Sequence, residues 1–214
     1  MMKIWGRKNS SNVQVVLWCA AELGIGYDRV DAGMTYGVVD TPAYLAENPN
    51  GTVPMIQDGE DTPLWESAAI LRYFANHYGN DLVWPSDPAA RAQVDKWMEW
   101  AKVNIVLKFT TPVFLRVIRT APSKQDPVAI NAALEELNKY LDIAEARLGK
   151  FSYLAGRDFT MADIQFGHIL YRYFTIEIER ADHPNIARYY KALCKRPAYR
   201  EYSMVSYEEL RAKD

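Results

Sequence analysis

Between Asn48 and Tyr78 the chain carries residue types in an order suited to holding a small zwitterion. In Thr52-Val53-Pro54 the proline stands at the start of a strand, where it removes a ladder donor. The backbone groups of Val53 are thereby left for another partner, such as a peptide-like ligand. Glu66-Ser67 stands at a helix start, where unpaired N–H groups and the helix dipole attract an anion, and where a hydroxyl and a carboxylate are within reach of one another. One small molecule bearing both a carboxylate and an amine suits that corner. An ordinary hairpin followed by a capped helix is the plainer reading of the same residues.

The elements that must position these groups follow from pattern. Asn48 to Gly51 is a turn cluster, Thr52 to Gln57 a strand, Asp58-Gly59 a turn and Pro63 to Trp65 a second short strand. Ile70, Leu71, Phe74, Ala75 and Tyr78 then recur on one helix face. Upstream, Lys3 to Gly6 reads as a first strand, and Arg7 to Asn12 is a polar turn. A helix follows with Val13, Val16, Leu17 and Ala20 on one face, stopped at Gly24-Ile25 in Schellman fashion. Tyr27 to Asp31 is a second strand. Strand, helix and strand in this order favour a parallel pair with a right-handed crossover. The order β-α-β, a link at Thr41 to Glu47 with one or two helical turns, then β-β-α matches a thioredoxin-like fold. In such a fold Ser10, Ser11 and Asn12 face Val53 and Pro54.

Trp84-Pro85-Ser86-Asp87-Pro88 breaks the pattern, and the expected division is an α/β domain over 1–80, a linker over 81–88 and an all-α domain over 89–214. Val94, Trp97, Met98, Ala101 and Ile105 mark a long helix that Pro112 is expected to kink or end. Asp126-Pro127 starts a second, along which Ile130, Leu134, Leu137, Leu141, Ala144 and Leu148 share a face. Thr160-Met161-Ala162-Asp163 is a capping-box variant, with Phe159 and Ile164 as a hydrophobic staple. His183-Pro184 starts another helix, bearing Ile186, Tyr189, Tyr190 and Leu193, and Pro197 is expected to end it.

Thr52-Val53-Pro54, then Glu66-Ser67 and the run Ala69-Ile70-x-x-Tyr73, resembles the glutathione-binding core of the cytosolic glutathione transferases, in the theta-like and phi-like bacterial branch. The box at Thr160 is also similar to that family's, where its role is structural. The resemblance implies a cis proline at Pro54 and backbone pairing of Val53 with the cysteinyl part of glutathione, as an added strand pairs. It implies that Ser67 and its N–H hold the γ-glutamyl carboxylate and that Glu66 holds the γ-glutamyl amine. Ser10 falls where the family keeps its catalytic serine, which stays protonated and donates to the sulfur. Ser11 and Asn12 are its rivals, Asn12 through an amide N–H, and all three also suit a helix cap. The family's usual His or His-Lys for the glycine carboxylate is replaced by Val39 and Asp40, which leaves that end unassigned, with Arg7 and Lys8 as conceivable substitutes. The electrophile pocket is expected between the Ser10 turn and the first long helix, with Met98, Val103, Phe109 and Phe114 as candidates, residues that equally suit a core.

Such an enzyme must ionise a thiol, because the thiolate is the nucleophile. Each pKa unit requires about 1.4 kcal/mol of preference for the anion, and one charge-assisted hydrogen bond supplies roughly 1.5 to 3 kcal/mol. With a serine rather than a cysteine at position 10, a dithiol reductase mechanism is disfavoured. The reading is a homodimeric transferase joining glutathione to a hydrophobic electrophile. Glutathione-dependent dehalogenation, peroxide reduction and disulfide exchange are close variants, and a non-catalytic interaction module is the alternative from another class.

Composition sets outer bounds. With 49% hydrophobic and 24% charged residues the chain has ordinary globular usage, and a net charge of -2 gives no general attraction to nucleic acid or anionic lipid. The basic run Arg188 to Arg200 suits a wet helix end better than a nucleic-acid groove. No apolar run approaches a membrane span and no signal peptide opens the chain, so the expected location is the cytoplasm. The two cysteines, Cys19 and Cys194, build no disulfide framework. His77, His168 and His183 lack metal-ligand spacing, and no metal is expected.

Overall fold

In the computed structural model, which describes residues 1–214, strand β1 (Met2–Trp5) and strand β2 (Tyr27–Val30) run parallel, joined across helix α1 (Ser11–Glu22). A short helix α2 (Pro42–Glu47) leads to strand β3 (Met55–Asp58), antiparallel to β1. Strand β4 (Leu64–Trp65) then pairs antiparallel with β3 and feeds helix α3 (Ser67–Tyr78). The sheet order is β2-β1-β3-β4, the thioredoxin-like arrangement expected.

Register decides what the sheet presents. Val30 and Met55 both lie opposite Trp5, and Trp65 lies opposite Met55. Because β1, β2 and β4 finish at this row while β3 begins there, four connections emerge along one edge: residues 6–10, 31–33, 52–54 and 66. The polar turn, the Val53-Pro54 segment and the α3 start are thus neighbours by topology, though far apart in sequence.

Helix α1 ends in a Schellman motif, with Gly24 at φ 68°, its N–H donating to Ala21 O at 3.3 Å and Ile25 N–H to Ala20 O at 2.9 Å. Its apolar face is wider than the single stripe in the sequence, because every residue from Val13 to Ala20 is buried. A helix covered all round lies between two layers. One side meets the sheet half, and on the other Trp18 packs against Phe159 and edge-on against Tyr199, with ring centroids 5.9 and 4.8 Å apart. Buried side chains from both halves form one continuous core.

The helical C-terminal domain begins with a rod, α4, over 88–118. Asp87 caps it by accepting from Ala90 N–H at 2.7 Å, and Pro88 takes the first turn. The helix does not end at Pro112. The backbone stays helical to Ile118, but the turns at Ala101–Val106 and Thr110–Leu115 widen to π geometry. Pro112 falls in the second widened turn, where the regular ladder is already interrupted and its missing donor costs least.

Helix α5 (Pro127–Leu148) buries the six positions expected of it, with Asp126 accepting from Ala129 N–H at 3.0 Å. Helix α6 (Met161–Gly167) starts at the Thr160–Asp163 capping box, and the buried Asp163 carboxylate accepts from four groups. These are Leu154 N–H at 2.8 Å, Thr160 N–H at 2.8 Å, Thr160 Oγ1 at 3.2 Å and Tyr189 Oη at 2.9 Å. Short α7 (Leu170–Thr175) and α8 (Pro184–Leu193) follow. Pro197 does more than stop α8: it occupies the first turn of a further helix, α9 (Pro197–Tyr202). The tail returns to the rod, with Ala212 N–H on Ile118 O at 2.8 Å and Ser123 Oγ on Asp214 Oδ1 at 2.6 Å. No helix is long and apolar enough to cross a membrane.

Candidate functional site

The turn from Arg7 to Ser10 is fastened from several sides. Ser10 N–H donates to Arg7 O at 3.2 Å, Gln14 Nε2 to Lys8 O at 3.0 Å, and Arg172 Nη2 to Asn9 O at 2.7 Å. Ser10 occupies the N-cap position of α1 in extended conformation, yet its side chain makes no capping bond. The hydroxyl therefore has no structural duty in the helix it precedes. Ser11 is buried behind it. Asn12 is half-buried, with its Oδ1 3.4 Å from Lys102 Nζ.

Across the sheet edge, the Val53-Pro54 peptide is cis. Thr52 is exposed, but its carbonyl is held by Tyr44 Oη at 2.7 Å and Asn48 Nδ2 at 2.8 Å, which anchors the approach to Val53. Val53 lies outside β3, and none of the backbone bonds outside the regular elements uses its N–H or carbonyl. Pro54 is buried beside it.

At the fourth connection, Glu66 has φ 72° and ψ 111°, a left-handed conformation that a non-glycine residue adopts only when its surroundings impose it. Its carboxylate is exposed and caps nothing. Ser67 is buried, with its hydroxyl at the positive end of α3. Lys102 Nζ donates to Ser67 Oγ at 2.9 Å. Burial holds the Lys102 ammonium below the usual lysine range, against the pull of the Glu66 and Glu99 carboxylates.

Lys102 thus joins Asn12 to Ser67 from the helical domain, a role invisible in the motif around Ser67. The only hint in the sequence is a lone cation among Ala101, Val103, Ile105 and Val106. Behind it lies His168, fully buried, with its Nδ1–H donating to Gln165 O at 2.8 Å.

The expected electrophile lining does not assemble. Met98, Phe109 and Phe114 belong to the continuous core with 0%, 0% and 1% exposure, whereas Val103 is 46% exposed on the rod. Helical spacing alone does not tell whether such a face meets solvent or a second layer. Of the glycine-carboxylate candidates, Lys8 is exposed, while Arg7 turns inward toward Gly33, where a Cβ would meet Arg7 Nη1 at 3.1 Å. Two arginines of the basic run along and after α8 are also engaged within the fold. Arg188 Nη2 donates to Leu148 O at 2.5 Å, and Arg196 forks onto Glu22 at 2.7 and 2.6 Å.

A thioredoxin-like sheet whose strand-end connections surround an anion-seeking helix start, closed by a helical domain that contributes a cation, defines a two-part small-molecule site. Residues 1–76 match the glutathione S-transferase N-terminal domain family and residues 95–197 the C-terminal domain family. The chain is 36% identical over 206 residues to glutathione S-transferase GstB of Escherichia coli K12, covering 96% of this chain and 99% of that one. It is 33% identical to glutathione S-transferase F13 of Arabidopsis thaliana over 94% of each chain. Among solved structures, the theta-class enzyme of Xanthomonas axonopodis pv. citri with glutathione bound superimposes with a TM-score of 0.89, at 43% identity, over 96% of this chain and 98% of that one. The chain belongs to the glutathione S-transferase family.

Proposed function

We propose that the chain conjugates glutathione to electrophilic small molecules, with the tripeptide lying along the sheet edge from Ser67 to Ser10. Size supports the reading. Strands about 4.8 Å apart set β1 and β4 about 10 Å from each other across β3, and three extended residues span about 10 Å. Ser67, its N–H and the Lys102 ammonium receive the γ-glutamyl carboxylate, and Glu66 receives the amine. The unused backbone groups of Val53 pair with the cysteinyl unit, while Thr52 and Pro54 keep that segment in place. The sulfur then points toward the Ser10 turn.

The observation that carries the reading is the uncommitted hydroxyl of Ser10. Too weakly acidic to be a base, it remains protonated and donates to the thiolate, with the Asn12 amide as a second donor. The field of the α1 start adds to it. A shift of one to two pKa units follows from about 1.5 to 3 kcal/mol of preference for the anion. The thiolate attacks an electrophilic carbon, the sulfur–carbon bond forms, and a leaving group departs with its electron pair or a conjugated system takes the pair up. The working form is a homodimer in the cytoplasm, the habit of soluble enzymes of this family.

Retention on immobilised glutathione, a rise in melting temperature with free glutathione, and thioether formation with chlorodinitrobenzene are the expected results. A protein that neither binds the resin nor responds thermally to glutathione would overturn the proposal in favour of a non-catalytic module.

A further inference from the structure

The peptide group that joins Asn9 to Ser10 is pinned at both edges. Its N–H donates to Arg7 O at 3.2 Å, and its carbonyl accepts from Arg172 Nη2 at 2.7 Å. Because a peptide is planar, bonds on its two edges fix its orientation and with it the place of the Ser10 Cα. The Asn9 side chain is fastened separately, its Nδ2 donating to Glu209 Oε1 at 2.5 Å, across 200 residues of sequence. An ionised carboxylate only accepts, so this bond also decides which way the amide faces.

Glu209 belongs to a strap of chain over residues 207–214 that is itself held down. Tyr207 Oη donates to Thr175 Oγ1 at 3.0 Å, and the Tyr207 ring stands edge-on to Phe114 with centroids 5.4 Å apart. The Arg172 guanidinium lies over the same Phe114 ring, 4.5 Å from its centroid. The two groups that hold Asn9 are therefore braced on one ring of the rod. Ala212 N–H on Ile118 O at 2.8 Å keeps the strap against the end of that rod.

The Ser10 hydroxyl makes no capping bond, so α1 does not aim it and it goes where the turn puts it. A hydrogen bond to sulfur weakens steeply with misalignment, and a misplacement of about 1 Å is felt in the rate. Asn9 is 6% exposed, its Oδ1 is buried without a partner, and Glu209 supplies the only hydrogen bond of its amide. Removing that acceptor strands a buried amide, which favours a shift of the turn toward water over leaving the group unpaired.

We propose that Glu209, acting through Asn9, is a positioning residue for the Ser10 hydroxyl, so that the carboxyl-terminal strap takes part in ionising the bound thiol. The inference rests on the transferase reading and adds to it a residue that touches neither glutathione nor the electrophile. Charge and position predict opposite signs for its removal. By charge alone, withdrawing a carboxylate from the neighbourhood of a thiolate favours the anion and lowers the thiol pKa. By loss of position, the hydroxyl leaves the sulfur and the pKa rises.

The test is titration of bound glutathione by thiolate absorbance, with the pH profile of kcat for chlorodinitrobenzene beside it. Glu209→Ala, at an exposed position that folding tolerates, should raise the thiol pKa by about half a unit or more, which below that pKa cuts the thiolate fraction about threefold. The dissociation constant of glutathione should stay nearly unchanged, since Ser67 and Val53 are untouched. Above both pKa values the two proteins should turn over alike. Glu209→Gln, which keeps an acceptor for Asn9 Nδ2, should restore the parent curve. Added to Ser10→Ala, Glu209→Ala should shift the pKa no further, because the group it positions is gone.

A titration of Glu209→Ala that coincides with the parent's or moves to lower pH, a loss of rate that persists above both pKa values, or a further shift in the Ser10→Ala background would each overturn the inference. A parent protein that binds no glutathione and forms no thioether would instead overturn the transferase reading.

Discussion

Lys102 Nζ, from the helical domain, lies 2.9 Å from the hydroxyl of Ser67 at the first turn of α3. The two residues come from different halves of the molecule, and the bond joins them at the point assigned to the γ-glutamyl carboxylate. A cation added to a helix start makes a stronger anion site than either provides alone. It also makes glutathione affinity sensitive to a residue outside the thioredoxin-like half.

Lys102→Met should weaken glutathione binding by about 1.5 to 3 kcal/mol, the loss of one charge-assisted bond, and Lys102→Arg should recover part of it. Ser67→Ala should cost about 1 to 3 kcal/mol. Because both side chains are assigned to one carboxylate, the double variant should lose less than the sum. Fluorescence titration with glutathione measures all four proteins, and strict additivity would separate the two residues.

Ser10→Ala should raise the pKa of bound glutathione by one to two units, on about 1.4 kcal/mol per unit, with the dissociation constant nearly unchanged. Thiolate absorbance against pH reports this directly. Should Asn12→Ala produce the shift and Ser10→Ala leave the curve in place, the sulfur contact belongs to Asn12.

His168 links stability to acid. Burial, with Lys102 and Arg172 adding to it, lowers its pKa from 6.5 to about 3. The folded chain thus keeps the ring neutral where the unfolded chain takes up a proton. Between pH 6.5 and 3 the unfolded state binds more protons, so stability falls on acidification, by up to about 1.4 kcal/mol per pH unit from this group. Asp163 opposes it, because burial raises its carboxyl from 3.8 to about 6 against the pull of its hydrogen bonds. Its folded form gains the proton first, which adds stability as pH falls from 6 to 3.8. Relative to His168→Gln, the parent protein should therefore lose stability steadily below pH 6.5, as read by urea unfolding at several pH values. A pH-independent difference would mean that the histidine does not titrate on unfolding.

Asp163→Ala should destabilise the fold by about 3 to 5 kcal/mol, because it strands the groups that one buried carboxylate serves. The lost bonds lie in the helical domain, away from Ser67 and Val53. At a temperature where the variant remains folded, calorimetry should therefore show a lower melting point with near-normal glutathione affinity.

Much of the frame was legible because it rests on local rules. The strand order, the Schellman stop at Gly24 and the buried face of Ile130 to Leu148 follow from periodicity and caps. Val53 and Ser67 stood out because a proline and a helix start leave backbone donors without partners, a fact of covalent geometry. What escaped depends on docking. Lys102 acquires meaning only when the rod lies against α3, and Met98, Phe109 and Phe114 were misassigned because an apolar helical face does not reveal what covers it. Pro112 was read as kinking or ending the helix because α-helical rules hold no place for a widened turn that lets the rod continue.

The two widened turns of the rod also set an angle. Each inserts about one residue into the helical count, and one residue corresponds to about 100° around the axis. The turn at Ala101–Val106 begins beside Lys102, and both turns precede Arg119. The azimuth between Lys102 at the Ser67 corner and Arg119 just past the end of the rod is therefore governed by helix winding. Deleting one residue between 103 and 106 would leave a helix in place but bring the two ends of the rod out of phase.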